Sequence, residues 1–223
     1  MTCTGVILAG GGATRFGGEP KGLERVAGRR IIDRVAAALR EVTDELLLVA
    51  NAEDAASWLP GVRVARDVRE GAGALGGLHA ALTHAGTEVL LVAWDMPFVS
   101  ASLLGELRRV GEGGALAESV EGGRPGGIAA DDAARAVPRD AVLPESEGSR
   151  RGVEPLCAWY SPRCLPAIDA ALTAGDLRVI GFHAAVTVQR LPLERVQLFG
   201  DPRRLFANVN TRDELVALDP SRG

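Results

Sequence analysis

Three stretches of the chain combine residue types that handle phosphate and metal. The first is Leu8-Ala9-Gly10-Gly11-Gly12-Ala13-Thr14-Arg15-Phe16-Gly17-Gly18-Glu19-Pro20-Lys21. Consecutive glycines let a backbone approach a ligand without Cβ clashes and reach positive φ. Their N–H groups can then converge on phosphate oxygens. Arg15 can make forked contacts to phosphate, and Lys21 can act as a point charge. A turn that held nothing would need neither cation. Two commoner phosphate loops are excluded. A P-loop requires Lys-Ser/Thr directly after its second glycine, whereas Gly17 is followed by Gly18 and Glu19. The dinucleotide fingerprint G-x-G-x-x-G, started at Gly10, would require glycine where Arg15 stands.

The second stretch is Trp94-Asp95-Met96-Pro97, directly after the apolar run Glu88 to Ala93. A carboxylate at the carboxyl end of a buried strand faces the ligand crevice. Mg²⁺ takes one or two carboxylates together with phosphate oxygens and water. Asp95 suits that role and would bring the metal onto an α-phosphate; the plainer alternative is a helix N-cap. The third stretch is Asn208-Val209-Asn210-Thr211, where Thr211 and Glu214 have the spacing of a capping box at the start of a last helix.

These groups need a scaffold, and the hydrophobic pattern predicts one. Gly5 to Ala9, Glu45 to Ala50, Val62 to Ala65 and Glu88 to Ala93 read as buried strands. Ile31 to Val42, Leu78 to Thr83 and Leu103 to Val110 read as the helices between and after them. Strand and helix alternate, and each strand is nearly all apolar, which means βαβ units around a mostly parallel sheet covered on both faces. The loops after Ala9, Ala50, Ala65 and Ala93 should therefore converge on one site. Gly111 to Arg151, rich in Gly, Pro and Ala, reads as a mobile loop or insertion. Glu154 to Tyr160 resumes as a strand and Pro162 to Ala174 as a helix.

Composition narrows the class. Hydrophobic residues make up 47% of the 223, enough for a sizeable core, and with only 4% aromatics that core must be built from Ala, Val and Leu. A net charge of −4 argues against a general nucleic-acid or anionic-membrane binder, so an anionic substrate must be held by local cations and N–H groups. Cys3, Cys157 and Cys164 are odd in number and lack zinc spacing, which fits a reduced, cytoplasmic protein. No apolar run approaches the roughly 20 residues of a membrane helix, and the first residues lack a signal-peptide pattern. His79, His84 and His183 are scattered without metal-ligand spacing and read as helix-face or surface residues.

The pattern Leu8-Ala9-Gly10-Gly11-x-x-x-Arg15-x-Gly17-x-x-x-Lys21 resembles the signature of the molybdenum cofactor guanylyltransferases, within the nucleotidyltransferases of Rossmann-like fold. The resemblance covers most of residues 5–110 and, more thinly, 153–218. It implies a single three-layer α/β domain of the nucleotide-diphospho-sugar transferase type. Residues 5–110 would form the nucleotide-binding half, 111–151 a loop or insertion, and 152–218 the acceptor-binding half. The glycines Gly10, Gly11 and Gly12 with Arg15 and Lys21 would wrap the triphosphate, and Leu8 and Ala9 would lie against the nucleotide. Gly10-Gly11, in place of the Ala-Gly of cytidylyltransferase relatives, favours guanine. Asp95 would be the Mg²⁺ ligand, Asp67 would contact the guanosine, and Asn51 the base or ribose. Asn208 and Asn210 would touch the pterin or complete the metal environment, and Arg178 would meet the acceptor phosphate.

The implied reaction transfers GMP from GTP to the terminal phosphate of molybdenum-bearing molybdopterin. A molybdenum-insertion protein or a molybdoenzyme apoprotein is the implied partner. The alternatives are a cytidylyltransferase, a sugar-nucleotide pyrophosphorylase, a guanylyltransferase for another phosphorylated acceptor, and a non-catalytic nucleotide or pterin carrier. The chain departs from the family pattern at Ala74, where proline is usual, and at Glu154, where relatives carry a polar residue, often histidine.

Overall fold

A computed structural model describes residues 2–10, 20–67, 69, 71–116, 139–149 and 151–209. The first strand, β1 (Cys3–Ala9), is buried along its whole length. A tight hairpin of β2 (Arg25–Val26) and β3 (Arg29–Arg30) follows. Its turn places Ala27 at φ 48° and Gly28 at φ 78°, the positive pair that a two-residue hairpin needs. Helix α1 (Ile31–Arg40) buries Ile31, Ile32, Val35, Ala36, Ala38 and Leu39. It ends two residues before the expected Val42, where the Thr43 hydroxyl donates to the Leu39 carbonyl at 2.8 Å.

Strands β4 (Glu45–Ala50), β5 (Arg63–Ala65) and β6 (Glu88–Ala93) fall where the apolar runs placed them, the β5 boundary moving by one residue. Helix α2 (Gly73–Ala85) starts five residues earlier than the sequence suggested. The segment Gly73-Ala74-Leu75-Gly76-Gly77, expected as a turn, is its first turn and a half. Glycine serves packing there: a Cβ on Gly77 would lie 3.3 Å from Leu8 Cδ2 and closer still to Cδ1. Helix α3 (Ala101–Gly111) is N-capped by Ser100, whose hydroxyl accepts from the Leu103 N–H.

The expectation of a loop from Gly111 to Arg151 is corrected at its end. Strand β7 (Ala141–Pro144) is fully buried there, and residues 117–138 and 150 lie outside the described residues. Strand β8 (Cys157–Tyr160) is shorter than the expected Glu154 to Tyr160. The expected helix from Pro162 splits into a 3₁₀ turn, Pro162–Cys164, and α4 (Leu165–Thr173). Strand β9 (Val188–Leu191) and the short helices α5 (Leu193–Gln197) and α6 (Pro202–Leu205) complete the described chain. The expected last helix with its Thr211/Glu214 capping box lies outside the described residues.

Among the described residues seven strands form one sheet, in the order β5-β4-β1-β6-β8-β7-β9. β1 pairs in parallel with β4 and β6, β4 with β5, and β7 with β9. β8 alone runs against its neighbours, antiparallel to both β6 and β7. One core lies between the sheet and α1 and α3, the other between the sheet and α2 and α4. The α3 face closes tightly: a Cβ on Gly111 would stand 2.5 Å from Cε2 and 2.6 Å from Cε3 of Trp159. Gly111→Ala is therefore expected to cost about 1–3 kcal/mol by overpacking. Urea denaturation checks it, and an unchanged midpoint would show that Trp159 yields without cost.

Candidate active site

Parallel strands deliver their following loops to one edge, and here four of them do so. Leu8, Ala9 and Gly10 after β1, Ala50 and Asn51 after β4, Asp67, Gly71, Gly73 and Ala74 after β5, and Ala93, Trp94 and Asp95 after β6 line one cavity of about 340 Å³. Leu156, from the segment entering β8, completes it. A larger depression of about 470 Å³ lies at the start of β4, lined by Arg40, Asp44 and Glu45 among others. It is at the amino ends of the strands, away from the edge where such sheets bind ligands.

Asp95 stands on the floor of the cavity. The Trp94 N–H donates to the Leu8 carbonyl at 3.1 Å, and the Ala93 N–H to the Leu156 carbonyl at 2.8 Å, so the strand end is fixed from both sides. Burial pushes the Asp95 carboxyl above its ordinary pKa, and the nearby charge of Lys21 works against that rise. Lys21 opens the 3₁₀ turn Lys21–Leu23, held by the Leu23 N–H on the Pro20 carbonyl at 3.0 Å and the Glu24 N–H on the Lys21 carbonyl at 3.1 Å. Two of the expected phosphate and metal groups are thus brought together.

The sequence reading gave Glu154 no role, yet it belongs here. Register pairs Val92 with Cys157 in antiparallel sense, and the turn before Cys157, closed by its N–H on the Glu154 carbonyl at 3.3 Å, leaves Glu154 near enough to feel the Asp95 charge. Burial raises the Glu154 carboxyl above its ordinary value, and the negative charge of Asp95 raises it further. The signal was available in the departure from histidine at that position, but only the antiparallel course of β8 shows what it faces. Two desolvated carboxyls near one another, each partly offset by a backbone hydrogen bond and by the charge of Lys21 or Arg151, form a donor set that suits a hard divalent cation.

Asn51 and Asp67 lock together. The Asn51 Nδ2 donates to Asp67 Oδ2 at 3.0 Å, and the Asp67 N–H donates to Asn51 Oδ1 at 2.9 Å. Both line the cavity, beside the start of α2, where no side chain caps the first N–H groups. The far end of the chain also arrives here: the Val209 N–H donates to the Asp95 carbonyl at 3.0 Å, which sets Asn208 one residue from Asp95's backbone. Arg178 is placed differently. It grips Asp176 with two guanidinium bonds of 2.8 and 2.6 Å, and its side chain does not line the cavity. Gly11, Gly12, Arg15 and Asn210 lie outside the described residues.

Among the described residues, the cysteines and histidines do not line this cavity. Cys3, Cys157 and Cys164 are free and buried. His79 faces Asp169 on α4 at 3.2 Å, and burial pushes His183 down to about 4. No helix among the described residues is long and apolar enough to cross a membrane.

A mostly parallel sheet whose first loop is rich in glycine, with a lysine and a carboxylate near one another at the strand ends, is built to receive a phosphorylated ligand. Residues 5–186 match the MobA-like NTP transferase domain family. A molybdenum cofactor guanylyltransferase from Desulfosudis oleivorans is 32% identical over 214 residues, covering 95% of this chain and 92% of the relative. The chain belongs to the MobA-like NTP transferase family. Among solved structures, molybdopterin-guanine dinucleotide biosynthesis protein A from Archaeoglobus fulgidus superposes with a TM-score of 0.72, at 23% identity and 98% coverage of both chains. A Mycobacterium tuberculosis protein solved in complex with manganese superposes with a TM-score of 0.58, at 19% identity and 97% coverage of both.

Proposed function

We propose that this nucleotidyltransferase transfers GMP from GTP to the terminal phosphate of molybdenum-bearing molybdopterin, releasing pyrophosphate, with Mg²⁺ as its metal. The observation that carries the reading is the meeting of Asp95, Glu154 and Lys21 at the end of β6, beside the cavity that holds the Asn51–Asp67 pair. Relatives that carry the guanylyltransferase name along nearly their whole length support the choice of nucleotide and acceptor. The protein would act in the cytoplasm, and would pass its product to a molybdenum-insertion protein or a molybdoenzyme apoprotein.

The acceptor phosphate is already anionic, so no general base is needed. One of its oxygens bonds to the α-phosphorus of GTP while the bond from that phosphorus to the oxygen bridging the β-phosphate breaks, and pyrophosphate leaves with the electron pair. The chain's work is alignment and charge neutralisation. Lys21 and Arg15 offset the charge on the triphosphate, and the glycines Gly10, Gly11 and Gly12 let the backbone close on it. Asp95, assisted by Glu154 and the asparagines Asn208 and Asn210, would hold the metal, which when bound supplies Lewis-acid stabilisation of the phosphates. Leu8 and Ala9 pack against the nucleoside. Arg178 would reach the acceptor phosphate on leaving Asp176.

Asp67 is the base reader. Guanine presents two adjacent N–H donors on its pairing edge, N1–H and N2–H, and a carboxylate is the matching acceptor; cytosine presents a single amino donor beside two acceptors. The Asn51 amide holds one carboxylate oxygen and leaves the other for the ligand. Asp67→Asn is expected to raise the KM for GTP about tenfold or more, on the scale of one lost hydrogen bond to a charged group. Steady-state kinetics check it, and an unchanged KM would remove Asp67 from base recognition.

The overall reading is tested by pyrophosphate release with molybdopterin as acceptor and GTP, CTP or ATP as donor, with and without Mg²⁺. Release is expected with GTP and Mg²⁺ alone. Equal rates with CTP, or release from GTP with a sugar phosphate but not with molybdopterin, would replace the reading.

A further inference from the structure

Between Lys21 and Asp95 lies one packing contact that no functional assignment covers. Gly22 is buried, and a Cβ built on it would stand 2.8 Å from Cδ2 and 3.1 Å from Cζ3 of Trp94, and closer still to Cε3. Real Cβ atoms do not approach ring carbons so closely, so the six-membered ring of Trp94 occupies the place where any other residue at 22 would carry its side chain. Gly22 follows Lys21 and Trp94 precedes Asp95; the contact therefore joins the residues next to the phosphate cation and the metal-facing carboxylate.

Trp94 cannot drift away from that contact. It is 4% exposed, its backbone N–H is bonded to the Leu8 carbonyl, and its ring stacks on Trp58 with centroids 5.2 Å apart and planes 22° from parallel. Trp58 is itself 4% exposed and its indole N–H donates to Asp54 Oδ2 at 3.0 Å. On the other side the Lys21–Leu23 turn is tied to α1, since the Ile31 N–H donates to the Glu24 carbonyl at 2.9 Å. Both partners are backed by rigid structure, so the contact behaves as a fixed spacer.

We infer that Gly22 and Trp94, with Trp58 behind them, are positioning residues that set the separation of Lys21 from Asp95 for nucleotidyl transfer. Neither Gly22 nor Trp58 offers a group to the nucleotide. Their effect is exerted through where Lys21 stands relative to the reacting phosphorus, and a displacement of about 1 Å in such a group costs on the order of 10²-fold in rate. Ground-state GTP binding draws on many contacts and depends less on this one distance, so kcat should respond more than KM. The inference rests on the proposed transfer of GMP from GTP.

The test uses the full chain, GTP, Mg²⁺ and molybdopterin. Gly22→Ala is expected to lower kcat about 10²-fold while the KM for GTP moves less than about threefold and far-UV circular dichroism stays native. Adding Trp94→Leu, which vacates the ring's space, is expected to recover at least about tenfold of the lost kcat, a coupling opposite in sign to independent damage. Wild-type kcat in Gly22→Ala, or a double variant no better than the product of the two single effects, overturns the inference. Should Gly22→Ala fail to fold, Trp58→Leu takes its place; Trp58 is not among the residues lining the cavity and acts on it only through Trp94. It is expected to lower kcat at constant KM, with Trp58→Phe, which can still stack, restoring it; full activity in folded Trp58→Leu overturns the inference as well. Absence of GTP-dependent pyrophosphate release in the wild-type protein would instead strike at the proposed reaction, which separates the two failures.

Discussion

Replacing Asp95 by Asn is expected to stop nucleotidyl transfer and, near neutral pH, to raise the melting temperature of the metal-free protein. The first effect follows from the loss of the carboxylate proposed to hold the metal; removal of one preorganised electrostatic group costs about 10²–10³-fold in kcat. The second follows from burial. The folded protein holds the Asp95 carboxyl with a raised pKa because burial penalises its charge. Such a group destabilises the fold progressively as pH rises from the ordinary carboxylate range through the raised value, because the unfolded chain gives up the proton first. Asparagine carries no charge and escapes that cost.

The difference in melting temperature between variant and wild type should thus vanish at acid pH, open as pH rises and then level off. Calorimetry in chelator across pH measures it. Added Mg²⁺ should reverse the order by stabilising the wild-type protein alone, as any ligand of the native state does. A variant that melts below the wild type in chelator at neutral pH would show that the carboxylate is held by compensating bonds and is not poised for a cation. Stability given up at a site to hold a charge ready is a common mark of function.

Lys21→Met is expected to lower kcat about 10²–10³-fold, with a second signature in the pH profile. The charge of Lys21 opposes the burial-driven rise of the Asp95 pKa. Without it Asp95 keeps its proton to higher pH, so the acid limb of kcat/KM should move toward neutrality. Lys21→Arg keeps the charge but changes the reach, and should restore the acid limb more fully than the rate. A rate loss with an unmoved acid limb would mean that Lys21 serves the triphosphate and leaves Asp95's protonation unaffected.

Much of the nucleotide half was legible in the sequence because buried parallel strands write themselves as apolar runs. Leu46-Leu47-Leu48-Val49 and Val89-Leu90-Leu91-Val92 bracket their strands, and the residues that follow, Asn51 and Asp95, line the cavity as expected. The start of α2 was not legible, since Gly73-Ala74-Leu75-Gly76-Gly77 looks like a turn until one sees that Gly77 is small to admit Leu8. The acceptor half hid two strands. β7 has four residues inside a stretch rich in turn formers, and β9 runs from half-buried Val188 and Gln189 through exposed Arg190 to buried Leu191 without alternation. Neither carries enough periodicity to stand out. Glu154 was visible only as an oddity, because strand direction is decided by pairing partners far away in sequence.

The reversed course of β8 also constrains how this protein can change over evolutionary time. The excursion between β7 and β8 is closed by the Glu145–Val153 bridge, the Ser146 N–H on the Gly152 carbonyl at 3.1 Å and the Glu154 N–H on the Pro144 carbonyl at 2.9 Å. Glu154 and Cys157 are joined by a turn, closed by the Cys157 N–H on the Glu154 carbonyl at 3.3 Å, so gaining or losing one residue between Val153 and Cys157 would break that closure and displace Glu154 from Asp95. Length variation among homologues should therefore avoid this short span even where the residues themselves are exchanged.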